Sequence, residues 1–373
     1  MIHLRQQGRS PLRAIYLFCL TRVAVSRFLL IGVLGAGILL TLMPGGAYAA
    51  QASSPAPLRV CLLLEHDKPD PWTDMLRAGL ATAAARHGLV AESRLTPPGS
   101  ALVTAFREAA AEGGLVLVAS DALHEVLRDN AGNYRKTMFG CIDTGVRAPN
   151  IMSVTFADEG PAFLAGAAAA MLTGATALPG INAELTVGWL SGQDTHALRS
   201  MLHSFHEGAQ AEQPGIRVIH AVTGSFTDTE QARMQTMRLM DADADVLVLA
   251  AGPANAGALE AVRQRGAYII GMDADMQAAL PGRVLASIVR RGDEAVTQIV
   301  DAAASGNFRG KQVTVRKMAD GGTALLGLDA FVRATGSNAP AGMAARIAEL
   351  ARELNRGNIR LKSLRAKTLC DCE

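Results

Sequence analysis

The residues able to do chemistry in this chain gather just past short apolar runs. Glu65 to Asp74, which includes Trp72 and Thr73, follows the run 59–64, and Asp143 follows 138–142. Gly224-Ser-Phe226-Thr-Asp228 follows 217–222, and Ala251-Gly252-Pro253 follows 246–250. Asp273 and Asp275 come after 268–272, and Arg290-Arg291 close the run 283–289. Aromatic rings offer stacking faces worth about 1–3 kcal/mol per base. Carboxylates accept paired hydrogen bonds from sugar hydroxyls, and glycine lets a backbone approach a ligand closely. Two rings, one from each half of the chain, with acids and an arginine around them, suit a flat, neutral, hydroxylated molecule such as a nucleoside. A phosphate fits less well, because three acids repel it. Each residue also has a plainer explanation. Trp72 can staple a helix entry, Asp121 can cap the helix behind it, and Arg290-Arg291 can be a solvated helix start. Asp143 has no helix directly behind it to cap, which makes it the better ligand candidate.

Catalytic motifs are missing. The sequence has no Gly-x-Ser-x-Gly elbow, no Walker loop, no His-Glu-x-x-His and no Cys-x-x-Cys. His203 and His206 lie three apart in an expected helix, where a solvated surface explains them better than a metal site does. We expect no enzyme activity, no metal and no cofactor.

These residues need elements to position them. Apolar runs alternate with helical stretches: strands at 59–64, 89–95, 115–119, 138–142 and 151–156, with helices at 74–87, 101–112 and 122–128 between the earlier ones. The pattern then starts again, with strands at 185–190, 217–222, 246–250, 268–272 and 283–289. Continuous apolar strands divided by amphipathic helices indicate parallel sheets covered on both faces. The expected fold is α/β: two doubly wound parallel-sheet lobes around a ligand cleft. Lobe 1 is expected to take 57–157 plus about 275–312, and lobe 2 to take 158–274 plus about 313–360. Ligands of such sheets bind outside the carboxyl ends of the strands, where the chemistry-bearing residues lie.

Charge and the termini set the compartment. Residues 1–50 carry five arginines and no acid; the rest holds the other 31 of the 36 basic residues against 34 acidic ones. A mildly acidic body without a basic run argues against a nucleic-acid partner. Phe28 to Met43 is an uncharged run of 16 residues ending before Ala47-Tyr-Ala49. That is the layout of a secretory signal, 1–49, cleaved after Ala49; the alternative is an uncleaved membrane anchor. The mature chain is then expected in the periplasm as a monomer. Cys61 and Cys141 sit in apolar runs as buried free thiols, and Cys370 and Cys372 lie in a tail, 361–373, where an exported chain can form a disulfide.

At these residues the chain resembles the basic membrane protein family, also called the PnrA-like nucleoside-binding family, whose members are substrate-binding proteins of ABC transporters with the type I periplasmic-binding fold. The matching segments are Phe156-Ala-Asp-Glu-Gly-Pro-Ala-Phe-Leu-Ala-Gly-Ala-Ala-Ala-Ala170, Val187-Gly-Trp-Leu-Ser-Gly192, Phe205-His-Glu-Gly208, Gly224 to Asp228 and Gly271 to Asp275. The resemblance implies that Trp72 stands where the family stacks an aromatic on the base, and Thr73 where it has an asparagine. It also implies that Asp143 faces the cleft, that Phe226 is the second ring, that Gly252 lines the site by its backbone, that Asp273 binds ribose hydroxyls and that Arg290 replaces a lysine beside it. The family's Ser-Phe-Asn-Gln is here Pro71-Trp-Thr-Asp74, and its Asp-Gln after the ribose acid is Asp275-Met276. The implied ligand is a nucleoside-like small molecule, and the implied partner an ABC permease of the inner membrane. Two rival readings keep the same lobes: a sensor presenting its ligand to a membrane receptor, and a nucleoside hydrolase.

Overall fold

The computed structural model describes residues 57–361. The expected signal at 1–49 and the Cys370 and Cys372 tail lie outside the described residues.

The first sheet holds β1 (Arg59–Leu64), β2 (Val90–Leu95), β3 (Leu115–Val118), β4 (Met138–Ile142), β5 (Ile151–Phe156) and, late in the chain, β11 (Val313–Arg316). Its order is β11-β5-β4-β3-β1-β2, and every pair is parallel. The second sheet holds β6 (Thr186–Ser191), β7 (Arg217–Val222), β8 (Val246–Ala250), β9 (Tyr268–Asp273), β10 (Val284–Arg290) and β12 (Thr323–Leu326). Its order is β12-β10-β9-β8-β6-β7, with β12 antiparallel to β10. The two sheets are therefore wound alike, as the repeated sequence pattern suggested. In each, the strand order reverses beside the first strand, between β1 and β3 and between β6 and β8. Crevices at such switch points are where doubly wound sheets bind ligands.

The central strands are buried on both faces: β3, β6 and β8 have no exposed residue. Helices cover them. In the second lobe α4 (Glu159–Thr173) packs on α5 (His196–Glu212) through Gly166 and Gly208. A β-carbon at Gly166 would collide with the carbonyl of Phe205, and one at Gly208 with that of Phe163, so only glycine permits this approach. Trp189 is fully buried beneath this pair, its ring edge against Phe205 and its indole N–H on Ser191 Oγ at 2.9 Å. Cys61 and Cys141 are buried free thiols, and burial pushes the Cys61 thiol up to about 11.

The lobe boundaries differ from the expected ones. The strand at 284–290 belongs to the second sheet, paired with β9 and β12, rather than to lobe 1. Its run Val-Leu-Ala-Ser-Ile-Val is buried throughout, which requires a neighbour on each side. Conversely β11, expected in lobe 2, completes the first sheet beside β5. The chain crosses between lobes three times: at 156–159, at 290–292 and at 316–323. These crossings are tied together. Ala157 N–H donates to Arg316 O at 2.8 Å, Arg291 N–H to Gly322 O at 2.9 Å, and Thr323 Oγ1 to Ala157 O at 3.3 Å. After the second crossing α8 (Gly292–Ala304) returns to pack on α1 (Pro71–His87) in the first lobe. After the third, α9 (Leu328–Thr335) and α10 (Met343–Arg356) finish the second.

Candidate functional site

The site is built around Arg290, the last residue of β10. The β9–β10 register pairs Val289 with Asp273, so the next side chain reaches Asp273 at the end of the neighbouring strand. Arg290 Nε donates to Asp273 Oδ1 at 2.8 Å, and Nη2 donates to the same oxygen. Its Nη1 crosses to the first lobe and donates to Asp143 Oδ2 at 2.9 Å, with Asp158 Oδ2 at 4.0 Å. One guanidinium thus holds carboxylates from both sheets. Its planar fork suits such bridging better than a lysine's point charge. The Arg290 and Asp273 side chains are each 11 % exposed.

Asp143 and Asp273 occupy equivalent places, closing β4 and β9. Both have left-handed backbones, with φ of 75° and 72°. Side chains other than glycine's rarely adopt that region, aspartate more readily than most. Strain of this kind at two matched strand ends is a mark of a functional site. His124 supports the first of them: its Nε2 lies 2.8 Å from the carbonyl of Ile142, the residue before Asp143.

The electrostatics follow from burial. Desolvation pushes the Asp273 carboxyl up. Arg290 pulls it back, while the charges of Asp70 and Asp143 push the same way as burial. Burial disfavours the Arg290 cation, yet Asp273, Asp143 and Asp158 together hold it well above its ordinary value, so it stays charged.

The rings take different positions. Trp72 lies in the first turn of α1, half-buried, with its edge on Phe156 at 6.0 Å and 79°. The Arg290 guanidinium sits over its ring, 4.3 Å from the centroid, and Gly292 leaves room beside it. One face of Trp72 is therefore engaged by the cation. Phe226 lies after β7 and packs across Gly192 and Gly252, which follow β6 and β8 at the second switch point. A β-carbon at Gly192 would strike that ring, and Gly252 has a φ of 56°. Lys68 Nζ donates to Thr227 O at 2.9 Å, joining the loop after β1 to the loop after β7.

Thr73 is 4 % exposed, and both its N–H and its hydroxyl donate to Asp70 Oδ2 at 2.9 Å. The helix therefore starts three residues earlier than expected, with Asp70 as cap and Pro71 in the first position. Asp121 likewise proves to be the first helical residue of α3 (Asp121–Asn130), with Ser120 at the cap position. Arg290 and Arg291 part company. Arg290 is buried in the site, and Arg291 stands at the cap position of α8 without a capping bond and pairs with Asp293 at 2.7 Å and Glu294 at 3.0 Å. Sequence reasoning passed over Asp70, Asp158 and Phe156. The rule that directs attention past each strand end would have found Asp158, two residues beyond β5. Among the described residues no group of three or more His, Cys, Asp or Glu side chains is placed to hold a metal ion.

Comparison with known proteins gives this geometry a context. Residues 66–338 match the sequence pattern of the family described as ABC transporter substrate-binding protein PnrA-like. Basic membrane protein D of Borreliella burgdorferi is 28 % identical over 178 residues, 47 % of this chain and 49 % of that protein. The ABC transporter nucleoside-binding protein BmpA of Lactococcus lactis is 24 % identical over 226 residues, 56 % of this chain and 62 % of that protein. The matched region thus spans about half the length of these curated relatives. The crystal structure of an ABC transporter solute-binding protein from Aeropyrum pernix superposes with a TM-score of 0.71 at 21 % identity, covering 82 % of this chain and 94 % of that one. At that identity the likeness shows a shared fold, the type I periplasmic-binding architecture. The family pattern covers most of the chain and its members are binding proteins rather than enzymes, so this chain belongs to the Bmp, or PnrA-like, family of ABC transporter substrate-binding proteins.

Proposed function

We propose that the protein closes its two lobes on a nucleoside-like molecule in the periplasm and delivers it to an ABC permease. The observation that carries this reading is the Arg290 bridge between Asp273 and Asp143, set at matched strand ends with Trp72 and Phe226 beside the two switch points. Arg290 engages Oδ1 of Asp273 twice, so Oδ2 is left to accept from a ribose hydroxyl. Charge-assisted bonds of this kind are worth about 1.5–3 kcal/mol each. Phe226, packed against Gly192 and Gly252, offers a rigid stacking face, and Gly252 brings backbone close to the ligand. Closure is a hinge motion at the three crossings, where few backbone torsions need to change. The nucleoside-binding description of the Lactococcus lactis relative supports the ligand class. An ABC importer's binding protein works outside the cytoplasm, in keeping with the export signal expected at 1–49.

The direct test is mass spectrometry of the small molecule released by denaturing the protein purified from exported fractions. The reading predicts a compound carrying a heteroaromatic ring and a pentose. Release of a ringless solute, such as an amino acid or an inorganic anion, would overturn it.

A further inference from the structure

Among the described residues, the buried polar atoms of the first lobe without a hydrogen-bond partner include His66 Nδ1, Asp70 Oδ1 and Ser120 Oγ. Buried polar groups are almost always paired, so each such atom calls for an explanation. All three lie on the two loops that flank the first lobe's switch point, after β1 and after β3. Ser120 stands at the cap position of α3 yet makes no capping bond. Asp70 is the most telling. It is 4 % exposed, and its Oδ2 is committed to the Thr73 N–H and hydroxyl. A capping carboxylate ordinarily turns its second oxygen to water; here that oxygen is sealed from solvent and unpaired. The charge of Asp70 also reaches Asp273 of the opposite lobe, pushing that carboxyl up.

A carboxylate oxygen can only accept when ionised, so a ligand satisfies it only with a donor. We propose that Asp70 is a specificity-determining residue of the cleft, and that its Oδ1 reads a ring N–H on the ligand's base edge, with His66 and Ser120 beside it at the same switch point. The ligand class is then a nucleoside with a lactam-type edge, in which a ring nitrogen carries hydrogen. A base that turns a bare ring nitrogen toward Oδ1 sets two acceptors against each other. This inference rests on the nucleoside reading above and refines it.

The cap fixes what a substitution at Asp70 can present. In Asp70→Asn the side-chain oxygen must stay on the Thr73 N–H, because an amide NH2 cannot accept from it. The NH2 therefore takes the place of Oδ1, and the open atom changes from acceptor to donor. Asn and Asp cap helices about equally well, so the fold is kept. Asp70→Ser keeps a capping oxygen and removes the open atom altogether.

The experiment is calorimetric titration of the full chain and both variants with inosine and with purine riboside. These differ at N1, which carries hydrogen in the first and a lone pair in the second, and in the 6-oxo group. Native protein should prefer inosine by roughly 10-fold to 100-fold, the cost of leaving a buried polar atom unpaired. Asp70→Asn should reverse the order, and Asp70→Ser should bring the two affinities within about threefold of each other, well under the single unpaired-atom cost. Equal binding by the native protein, or an unchanged ratio in Asp70→Asn, overturns the role of Asp70 and leaves the nucleoside reading standing. Failure of the native protein to bind either nucleoside overturns both.

Discussion

Replacing Arg290 by methionine removes the cation that Asp273, Asp143 and Asp158 share, while keeping much of the side chain's bulk over Trp72. Breaking a buried ion pair by removing one partner costs about 3–5 kcal/mol, because the charge left behind stays buried. With Asp273 and Arg290 each 11 % exposed, solvent screening is weak and little discount applies. Asp143, at 19 %, recovers part of its loss through hydration. We therefore expect Arg290→Met to lose about 3–5 kcal/mol at pH 7, read as a shift of the urea midpoint at constant slope. The loss should depend on pH. Burial already raises the Asp273 carboxyl, and once Arg290 is gone the charges of Asp70 and Asp143 push it further the same way. An acid whose folded value is raised stabilises the fold below its unfolded value near ~3.9 and loses that contribution as pH rises through the folded value. The gap between native protein and variant should therefore narrow as pH falls from 7 toward about 4.5. Arg290→Lys keeps the charge and should fall between the two, since one ammonium cannot bridge as the guanidinium does. A gap under about 1 kcal/mol at pH 7, or one that does not change with pH, would refute the view of Arg290 as the charge that holds the site together.

Phe226→Ala should weaken ligand binding by about 1–3 kcal/mol with the circular dichroism spectrum unchanged; unaltered affinity would remove the ring from the site. Ligand should change the fluorescence of Trp72 and barely that of Trp189, which is fully buried in the second lobe's core, so Trp72→Phe should abolish most of the response. Asp245, 2 % exposed and bonded by Thr173 Oγ1 and Asn182 N–H, is raised by burial to about 6. It should contribute stability below about pH 4 that is lost as pH rises to about 6, up to ~3 kcal/mol. Asp245→Asn should flatten urea-midpoint stability over that window, and an unchanged slope there would show that another group carries it.

Much of the fold was legible because the central strands of both sheets read as unbroken apolar runs such as Leu115-Val-Leu-Val118 and Val246-Leu-Val-Leu-Ala250. The elements after residue 290 were not. β11 and β12 have only four residues each, mostly part-exposed, too short for the alternation in Val-Thr-Val-Arg or the run in Thr-Ala-Leu-Leu to mark a strand. That gap explains the misplaced lobe boundary: nothing in Val-Leu-Ala-Ser-Ile-Val-Arg says which sheet it joins, and the answer depends on partners far away in sequence. At the site, the strand-end rule brought Asp143, Asp273 and Arg290 into view separately. Their union in one bridge was hidden, because it requires the second crossing to end β10 beside Asp273 and opposite Asp143. Thr73 and Asp70 show the reverse case. Thr73 drew notice by its position, while the capping bond that occupies its hydroxyl needs the geometry of the Asp70 turn.

The most direct measurement is the affinity of the native protein and of Asp273→Asn for a ribonucleoside and its 2′-deoxy analogue. If Asp273 reads the ribose hydroxyls between the closed lobes, the native protein should favour the ribo form by roughly 10-fold to 100-fold. Asp273→Asn should bind the ribo form more weakly and lose most of that preference. Equal affinity of the native protein for both forms, or a variant that binds as tightly as the native protein, would contradict recognition of a nucleoside sugar at this cleft.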